Sequence, residues 1–160
     1  MLAVSIISIG PMLIGFQRAQ QGRQSIAQLQ TLIVVLDKLE RELGFGQAGL
    51  LAIFRKSEHL LLLNCADALA KPRPPSVSQL WEQGLRHHFP LLSEAAFETA
   101  RQVGQVLGRY DAKRQCQAIE QAREALSLIE RTAHEETQRS GRVSRTLGMA
   151  AGAFIFIILI

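Results

Sequence analysis

Histidine is the residue type in this chain best suited to bind a metal ion or move a proton, and the chain has four. His87 and His88 are adjacent, whereas His59 and His134 stand alone, and His134 lacks the second histidine of an H-E-x-x-H sequence. Zinc needs three or four converging ligands, and adjacent residues of a helix point in different directions. A metal-dependent enzyme using His59, His87 and His88 is therefore an alternative that requires these side chains to meet in space. The simpler interpretation is that they face solvent near helix ends.

One glycine-rich stretch has the spacing of a dinucleotide-binding loop, since residues 44–49 read GFGQAG. That fingerprint must follow a β-strand and open a helix, but here a helical pattern precedes it. We interpret the stretch as a flexible loop between helices. The chain also has no G-x-S-x-G sequence, no P-loop and no paired-carboxylate arrangement. These patterns predict a protein that is not an enzyme and uses no cofactor.

The two cysteines, Cys65 and Cys116, are far apart in the sequence and form no C-x-x-C pair. Each lies in an apolar, helix-like pattern, which favours a small buried thiol. A disulfide framework is not expected, and this is typical of a reducing cytoplasm.

The charged middle of the chain has the 3.6-residue periodicity of amphipathic helices. Its first apolar stripe stops at Gly44, which we interpret as a helix C-cap. Shorter helices are expected at residues 50–54 and 59–69. The stripe consists of Ile26, Leu29, Leu32, Ile33, Leu36, Leu39 and Leu43.

Prolines and capping residues predict where two further helices begin. Residues 71–75, which read KPRPP, interrupt the helical pattern. Ser76 and Gln79 have the spacing of a capping box at the start of the next helix. After a second break at Pro90, Ser93 is expected to cap another helix.

The sequence LGRYD at residues 107–111 predicts a very short connection between two helices. Gly108 is suited to end the first helix and Asp111 to cap the second. So short a connection makes the two helices an antiparallel pair. The second helix is long, and its apolar stripe consists of Cys116, Ile119, Ala122, Leu126, Ile129, Ala133 and Thr137.

Both ends of the chain are apolar. Residues 1–17 form a run of 17 uncharged residues, and residues 146–160 form a run of 15. A membrane-spanning helix needs about 20 apolar residues, but snorkelling side chains and a locally thinned bilayer accommodate shorter ones. A cleaved signal peptide would carry its basic residues before the apolar run, not after it. We therefore predict transmembrane helices at residues 1–17 and 143–160.

Arginines flank both apolar runs on the side that faces the middle of the chain. They are Arg18 and Arg23 after the first run, and Arg139, Arg142 and Arg145 before the last. Positive charge collects on the cytoplasmic side of a membrane. The arrangement predicts that residues 18–142 are cytoplasmic and that both termini are extracytoplasmic.

Glycines within the apolar runs could pack membrane helices together. Gly148 and Gly152 form a G-x-x-x-G sequence, and Gly10 and Gly15 lie in the first run. Small residues allow two helices to approach closely in a membrane. The contact could join the two terminal helices of one chain, or a helix of another protein, including a second copy in a homo-oligomer.

The net charge of +4 would suit weak binding to nucleic acid or to anionic lipid. Acidic residues are interleaved with the basic ones, and no basic stripe with interspersed aromatic residues is present, so nucleic-acid binding is not expected. The fold class that we predict is all-α. An antiparallel helical bundle, residues 18–142, is flanked by N- and C-terminal transmembrane helices.

Together, these segments resemble the stage III sporulation protein AB family, membrane proteins of endospore-forming bacteria. The most specific part is VGQVLGRYDAKRQCQAIEQA, residues 103–122, which is similar to the family's L-G-x-x-D pattern followed by Gln and a long charged helix. The ending LGMAAGAFIFIILI, residues 147–160, is similar to the family's closing membrane helix. Residues 39–54 resemble the family less closely, because a Pro-Leu pair is missing after the aromatic–glycine pair. Gly108 and Asp111 match the family motif, and the role that this implies for them is structural.

The resemblance implies a helical bundle similar to the cytoplasmic domains of F-type platform proteins in type II secretion and type IV pilus machines. It also implies membership of the assembly that joins mother cell and forespore, on the mother-cell side in the outer forespore membrane, with a cytoplasmic ATPase as a partner. We therefore expect a non-enzymatic membrane platform. Two alternatives remain: a membrane-anchored helical regulator that binds a partner through residues 71–75, and the metal-dependent enzyme.

Overall fold

Six α-helices and no β-strand make up the part of the chain that the structure, a computed structural model, describes. That part comprises the backbone of residues 10–45 and 49–159 and the side chains of residues 20–45 and 49–138. The prediction of an all-α fold is confirmed. The helices are α1 (Gly10–Phe45), α2 (Leu50–Lys56), α3 (Leu60–Leu69), α4 (Val77–His88), α5 (Glu94–Val106) and α6 (Ala112–Leu159).

The two longest helices, α1 and α6, pack against each other along their length in antiparallel orientation. Gly44 near the end of α1 lies beside the start of α6, where a Cβ atom would be 3.9 Å from the Sγ of Cys116. Gly22, about three turns into α1, lies beside the far part of α6, where a Cβ atom would be 3.7 Å from the Oγ1 of Thr137. The N-terminal part of α1 and the C-terminal part of α6 therefore lie at the same end of the bundle.

Most residues of the predicted apolar stripes form the core, but Ala133 and Thr137 lie outside it, and Val35, which was not predicted, is buried. The shorter helices each pack on their neighbours in sequence, and α5 packs on α6, which closes the bundle. Burial of these side chains is the main stabilising term, at about 1.5–3 kcal/mol for each large apolar side chain. The most completely buried side chains are Leu32, Leu36, Leu39, Phe54, Leu61, Leu62, Trp81, Leu85, Val103, Leu107, Ile119 and Leu126.

Trp81 lies at the contact between α4 and α5, and Gly104 makes room for it. The indole is fully buried, and its Nε1 donates a hydrogen bond to the carbonyl of Ala100 at 2.7 Å. A Cβ atom at position 104 would be 2.5 Å from Cδ1 of Trp81 and 3.0 Å from its Cβ. Only glycine allows α5 to approach the tryptophan this closely.

The predicted helix starts are confirmed. The side chain of Ser76 accepts a hydrogen bond from the Gln79 amide at 3.3 Å, and the Gln79 side chain accepts one from the Ser76 amide at 3.2 Å, which is a capping box. Ser93 accepts a hydrogen bond from the Ala96 amide at 3.3 Å.

The end predicted for the first helix is wrong by one residue. Helix α1 continues to Phe45, and Gly44 does not adopt the left-handed backbone of a glycine C-cap. The packing of α6 beside Gly44 explains this difference, since the neighbouring helix supports the last turn of α1 through this position.

The side chains of the predicted terminal segments, residues 1–17 and 143–160, lie outside those that the structure describes. Both α1 and α6 are continuous across the boundaries predicted at residues 17/18 and 142/143. In the part of the chain that the structure describes, no helix is both long enough and apolar enough to cross a membrane. Arg23 is exposed on α1. The other predicted flanking and packing residues lie outside the residues whose side chains are described: Gly10, Gly15, Arg18, Arg139, Arg142, Arg145, Gly148 and Gly152.

Candidate functional site

The connection between α5 and α6 is the corner that the LGRYD sequence predicts. Gly108 has a φ angle of 73°, in the left-handed region, which agrees with its predicted role in ending α5. Leu107, immediately before it, is buried and donates its amide to the carbonyl of Val103 at 3.1 Å. The glycine thus reverses the chain while the preceding leucine stays in the core.

Gln115, in the first turn of α6, holds this corner together. Its Nε2 donates to the carbonyl of Tyr110 at 2.6 Å, and its Oε1 accepts from the amide of Gly108 at 3.3 Å. Among the side chains that the structure describes, it is the only polar one that is buried. Its role at the corner is not among those predicted from the sequence. The available signal was its position, because Gln115 lies four and seven residues before the apolar stripe residues Ile119 and Ala122.

Asp111 occupies the predicted position at the start of α6, and its carbonyl accepts the Gln115 amide at 3.1 Å. Its carboxylate makes no hydrogen bond with the described residues, so the side-chain cap that was predicted is not formed there. The buried amide of Gln115 satisfies the backbone of the corner instead.

The corner is packed against two other helix starts. A Cβ atom on Gly108 would lie 3.3 Å from Leu50 in α2 and 3.5 Å from Val77 in α4. The corner is therefore fixed to the rest of the bundle as well as to α6.

Two of the three histidines in the metal hypothesis do meet, at the side of the bundle. The His59 ring stacks on Phe89 with centroids 5.5 Å apart, and its centroid is 6.1 Å from that of His88. The His59 Nδ1 accepts a hydrogen bond from the Leu61 amide at 3.2 Å, so this histidine is the N-cap of α3. His88 Nε2 lies 3.0 Å from the Asn64 side-chain nitrogen. The pair ties the start of α3 to the end of α4.

A groove of about 440 Å³ lies beside these histidines. Burial lowers the pKa of His59, and neighbouring His88 and Lys38 lower it further. Burial also lowers the pKa of His88, with His87 as a second cause. Both rings therefore favour the neutral form. The lining residues are Ala27, Gln28, Thr31, Glu58, His59, Leu60, His88 and Phe89.

The geometry that the metal-dependent alternative requires is not found in the described part of the chain. No three His, Cys, Asp or Glu side chains converge there to hold a metal ion. His87 packs edge-on against His88 with centroids 4.8 Å apart and is exposed. His134 lies on α6 with its Nε2 3.6 Å from Glu130. The three histidines that lie close together, His59, His87 and His88, have packing and capping roles.

Both cysteines are free thiols; the predicted burial is confirmed for Cys65, whereas Cys116 is only partly buried. Cys65 is buried, and burial raises the pKa of its thiol to about 11. Burial and the nearby carboxylates of Glu40 and Glu120 raise the pKa of the Cys116 thiol. Neither environment produces the thiolate that a reactive cysteine needs.

Comparison with known proteins matches the entire chain to one family. A model of the stage III sporulation protein AB family matches residues 1–160. Stage III sporulation protein AB of Bacillus subtilis (strain 168) is 25% identical over 161 aligned residues, covering 91% of this chain and 90% of the relative. A solved structure of stage III sporulation protein AB superposes with a TM-score of 0.60 at 25% identity, covering 72% of this chain and 97% of that one. The chain therefore belongs to the stage III sporulation protein AB family, and its role is related to sporulation.

Proposed function

We propose that this protein is a non-enzymatic, membrane-anchored platform in the assembly that joins mother cell and forespore. Family membership supports the sporulation-related part of this proposal. The observation that carries the platform part is the antiparallel packing of α1 and α6. Because the two helices run in opposite directions, the ends that lead to the apolar runs leave the bundle on the same side. One membrane can then hold both ends.

The charge pattern supports an orientation. From the contact of Gly22 with Thr137, α1 extends back to Gly10 and α6 extends on to Leu159. The flanking arginines lie between these runs and the bundle, so the positive-inside rule favours a cytoplasmic bundle with both termini outside. Gly148 and Gly152 would then pack in the membrane against Gly10 and Gly15 or against another helix.

The buried and partly buried polar groups of the bundle have structural partners, and this supports a non-enzymatic role. Gln115 is engaged in closing the α5–α6 corner, and His59 caps a helix. These groups are therefore structural, and the exposed helix surfaces are left to bind other proteins. The family resemblance implies that the partners are other proteins of the channel assembly, including its cytoplasmic ATPase.

Reporter fusions test the membrane part of the proposal. Alkaline phosphatase, which is active only outside the cytoplasm, should be active at either terminus, and green fluorescent protein should fluoresce poorly there. The matched variant R139Q, R142Q and R145Q should give mixed orientations of the C-terminal fusion, because it removes the positive charge beside that run. If green fluorescent protein fluoresces strongly at both termini and alkaline phosphatase is inactive there, the proposed topology is wrong.

A second measurement tests the platform itself. The detergent-solubilised chain, isolated from sporulating cells after cross-linking, should carry proteins of the channel assembly with it. Recovery of the chain as an isolated protein, with none of these proteins attached, would contradict the platform role.

A further inference from the structure

One end of the bundle combines exposed aromatic side chains with a group of basic side chains. We call it the distal tip, defined by Phe45, Leu51 and residues 108–114. Phe45 is 91% exposed and Tyr110 is 46% exposed, although both are large apolar side chains. Residues 108–114 are all exposed. Exposed apolar groups that cluster in this way mark interaction surfaces.

Contacts between helices bring these residues to one end. Gly44, next to Phe45, lies beside Cys116 near the start of α6. Gly108 lies beside Leu50, which precedes Leu51. The end of α1, the start of α2 and the α5–α6 corner therefore form one continuous surface.

The distal tip carries a net positive charge. It contains Arg109, Lys113 and Arg114 against a single acidic residue, Asp111. None of the three basic side chains forms an ion pair with a described residue. Arg114 lies over the ring of Tyr110, with its Cζ atom 4.5 Å from the ring centroid.

Several basic residues elsewhere on the bundle are paired. Lys38 pairs with Glu58, Lys56 with Glu42, and Arg123 with Asp37. Other exposed basic residues, such as Arg55 and Arg131, also have no ion pair with a described residue, but the distal tip brings three such residues together beside exposed aromatic rings, and their positive charge is available to a partner.

The position of the distal tip argues against lipid as that partner. Helix α6 spans about 40 Å between Ala112 and Arg139, at a rise of about 1.5 Å per residue. Electrostatic attraction to a membrane surface is screened within about 8–10 Å at physiological salt. A membrane that held the chain termini would therefore lie beyond the range of these charges. Asp111, placed among the three basic residues, also disfavours a continuous run of phosphates such as nucleic acid presents.

We infer that the distal tip is a docking surface for an acidic surface of another protein, which pairs carboxylates with Arg109, Lys113 and Arg114 and accepts Phe45 and Tyr110 in apolar recesses. Tyr, Phe and Arg are the residue types enriched at protein interfaces. Opposite charge across the interface would speed association and orient the partner. This inference rests on the proposed platform function and adds to it the surface and the chemistry of the partner.

Photo-cross-linking in sporulating cells tests the inference with the full chain in its membrane. The photoreactive residue p-benzoylphenylalanine replaces Tyr110 in one strain and Leu128 in a control strain. Leu128 is 66% exposed and lies about 24 Å further along α6, outside the distal tip. We expect a protein adduct from position 110 and none from position 128. Mass spectrometry should locate the cross-link in a segment of the partner that is rich in Asp and Glu.

Charge reversal supplies the decisive comparison. The combined variant R109E, K113E and R114E should reduce the adduct from position 110 by about tenfold or more. The matched variant R131E changes an exposed arginine of α6 outside the distal tip and should leave the adduct unchanged. Lys113 and Arg114 lie in the first turn of α6, where acidic side chains are favourable, and Arg109 is exposed in the connection before it, so the triple variant should keep its thermal unfolding midpoint.

Several results would overturn the inference. They are the absence of an adduct from position 110, an equal adduct from position 128, an adduct with lipid or nucleic acid, and an adduct that survives charge reversal. Binding of the purified chain to phosphatidylglycerol vesicles that depends on the three basic residues would also overturn it. If channel proteins cross-link only from position 128, the inference that the distal tip is a docking surface is wrong, but the proposed platform function is retained. If none cross-links from either position or co-purifies with the chain, the platform fails as well.

Discussion

Replacing Gly104 with alanine should destabilise the bundle, because the new methyl group has no space beside Trp81. The added Cβ would lie 2.5 Å from Cδ1, 2.8 Å from Cγ and 3.0 Å from Cβ of the tryptophan. The Cβ of Trp81 is fixed to the backbone of α4, so rotating the indole cannot relieve every contact. Helices α4 and α5 must move apart or the indole must leave its site.

The expected size of the effect follows from opposing terms. Overpacking a filled core lowers the free energy of unfolding by about 1–3 kcal/mol. Replacing glycine with alanine within a helix raises it by about 0.5–1 kcal/mol. The free energy of unfolding should therefore fall by up to about 2.5 kcal/mol, with a central value of about 1 kcal/mol, or roughly 3 °C in the thermal midpoint. If the indole moves, its hydrogen bond to Ala100 is also lost, which adds about 1–3 kcal/mol.

Urea unfolding measured by circular dichroism and tryptophan fluorescence would determine this effect. Trp81 is the only tryptophan of the chain, so its emission reports directly on the contact. Gly22→Ala is the matched control, since its Cβ would make an ordinary contact at 3.7 Å, and it should raise stability by about 0.5–1 kcal/mol. If Gly104→Ala is as stable as Gly22→Ala, the close packing of α5 on Trp81 is incorrect.

Three further predictions concern the corner, the histidines and the thiols. Gly108→Ala should lower the free energy of unfolding by about 1–2 kcal/mol in urea titrations, because a φ of 73° is unfavourable for alanine; an unchanged midpoint would contradict a left-handed corner. The pKa of His59 is lowered from 6.5 in the folded chain, so the unfolded chain binds more protons, and stability present above pH 6.5 is lost as the pH falls toward the folded pKa. His59→Asn replaces the accepting Nδ1 with an amide oxygen that can accept from the Leu61 amide without titrating, and it should flatten that pH dependence in denaturation curves, whereas an equally steep dependence would refute the role of His59. The pKa of about 11 predicts that Cys65 reacts with iodoacetamide at pH 8 about a hundredfold more slowly than a thiol at its ordinary value of 9.0, and rapid labelling of the native chain would show the thiol to be accessible.

The helices were predictable because their signals are local. Leu32, Leu36 and Leu39 repeat at helical spacing, and all three are buried on one face of α1. The capping box of Ser76 and Gln79 involves residues three positions apart, and a chain reversal after one glycine is a local event at Gly108. In each case the residues that interact are close together in the sequence.

The contacts of the candidate site were predictable only in part. Gln115 occupies a core position in the repeat, but its two hydrogen bonds depend on how closely the corner approaches α6. The stacking of His59 on Phe89 joins residues thirty positions apart, and no periodicity relates them. Gly44 is likewise a residue type that commonly ends helices, yet it lies inside α1, because the distant helix α6 packs beside it.

The sequence by itself determined the helical segments, most of their boundaries and membership of a family, because helix periodicity, capping and motif spacing involve neighbouring residues. Only the tertiary structure decided that α1 pairs with α6, that Gly104 must admit Trp81, and that Phe45 and Tyr110 share one exposed end with three basic residues that have no ion pair among the described residues. The physical reason is that a helix can bury its apolar stripe against more than one neighbour. Side-chain volumes and close approaches between residues far apart in the chain select one arrangement, and that arrangement creates the surfaces available to a partner.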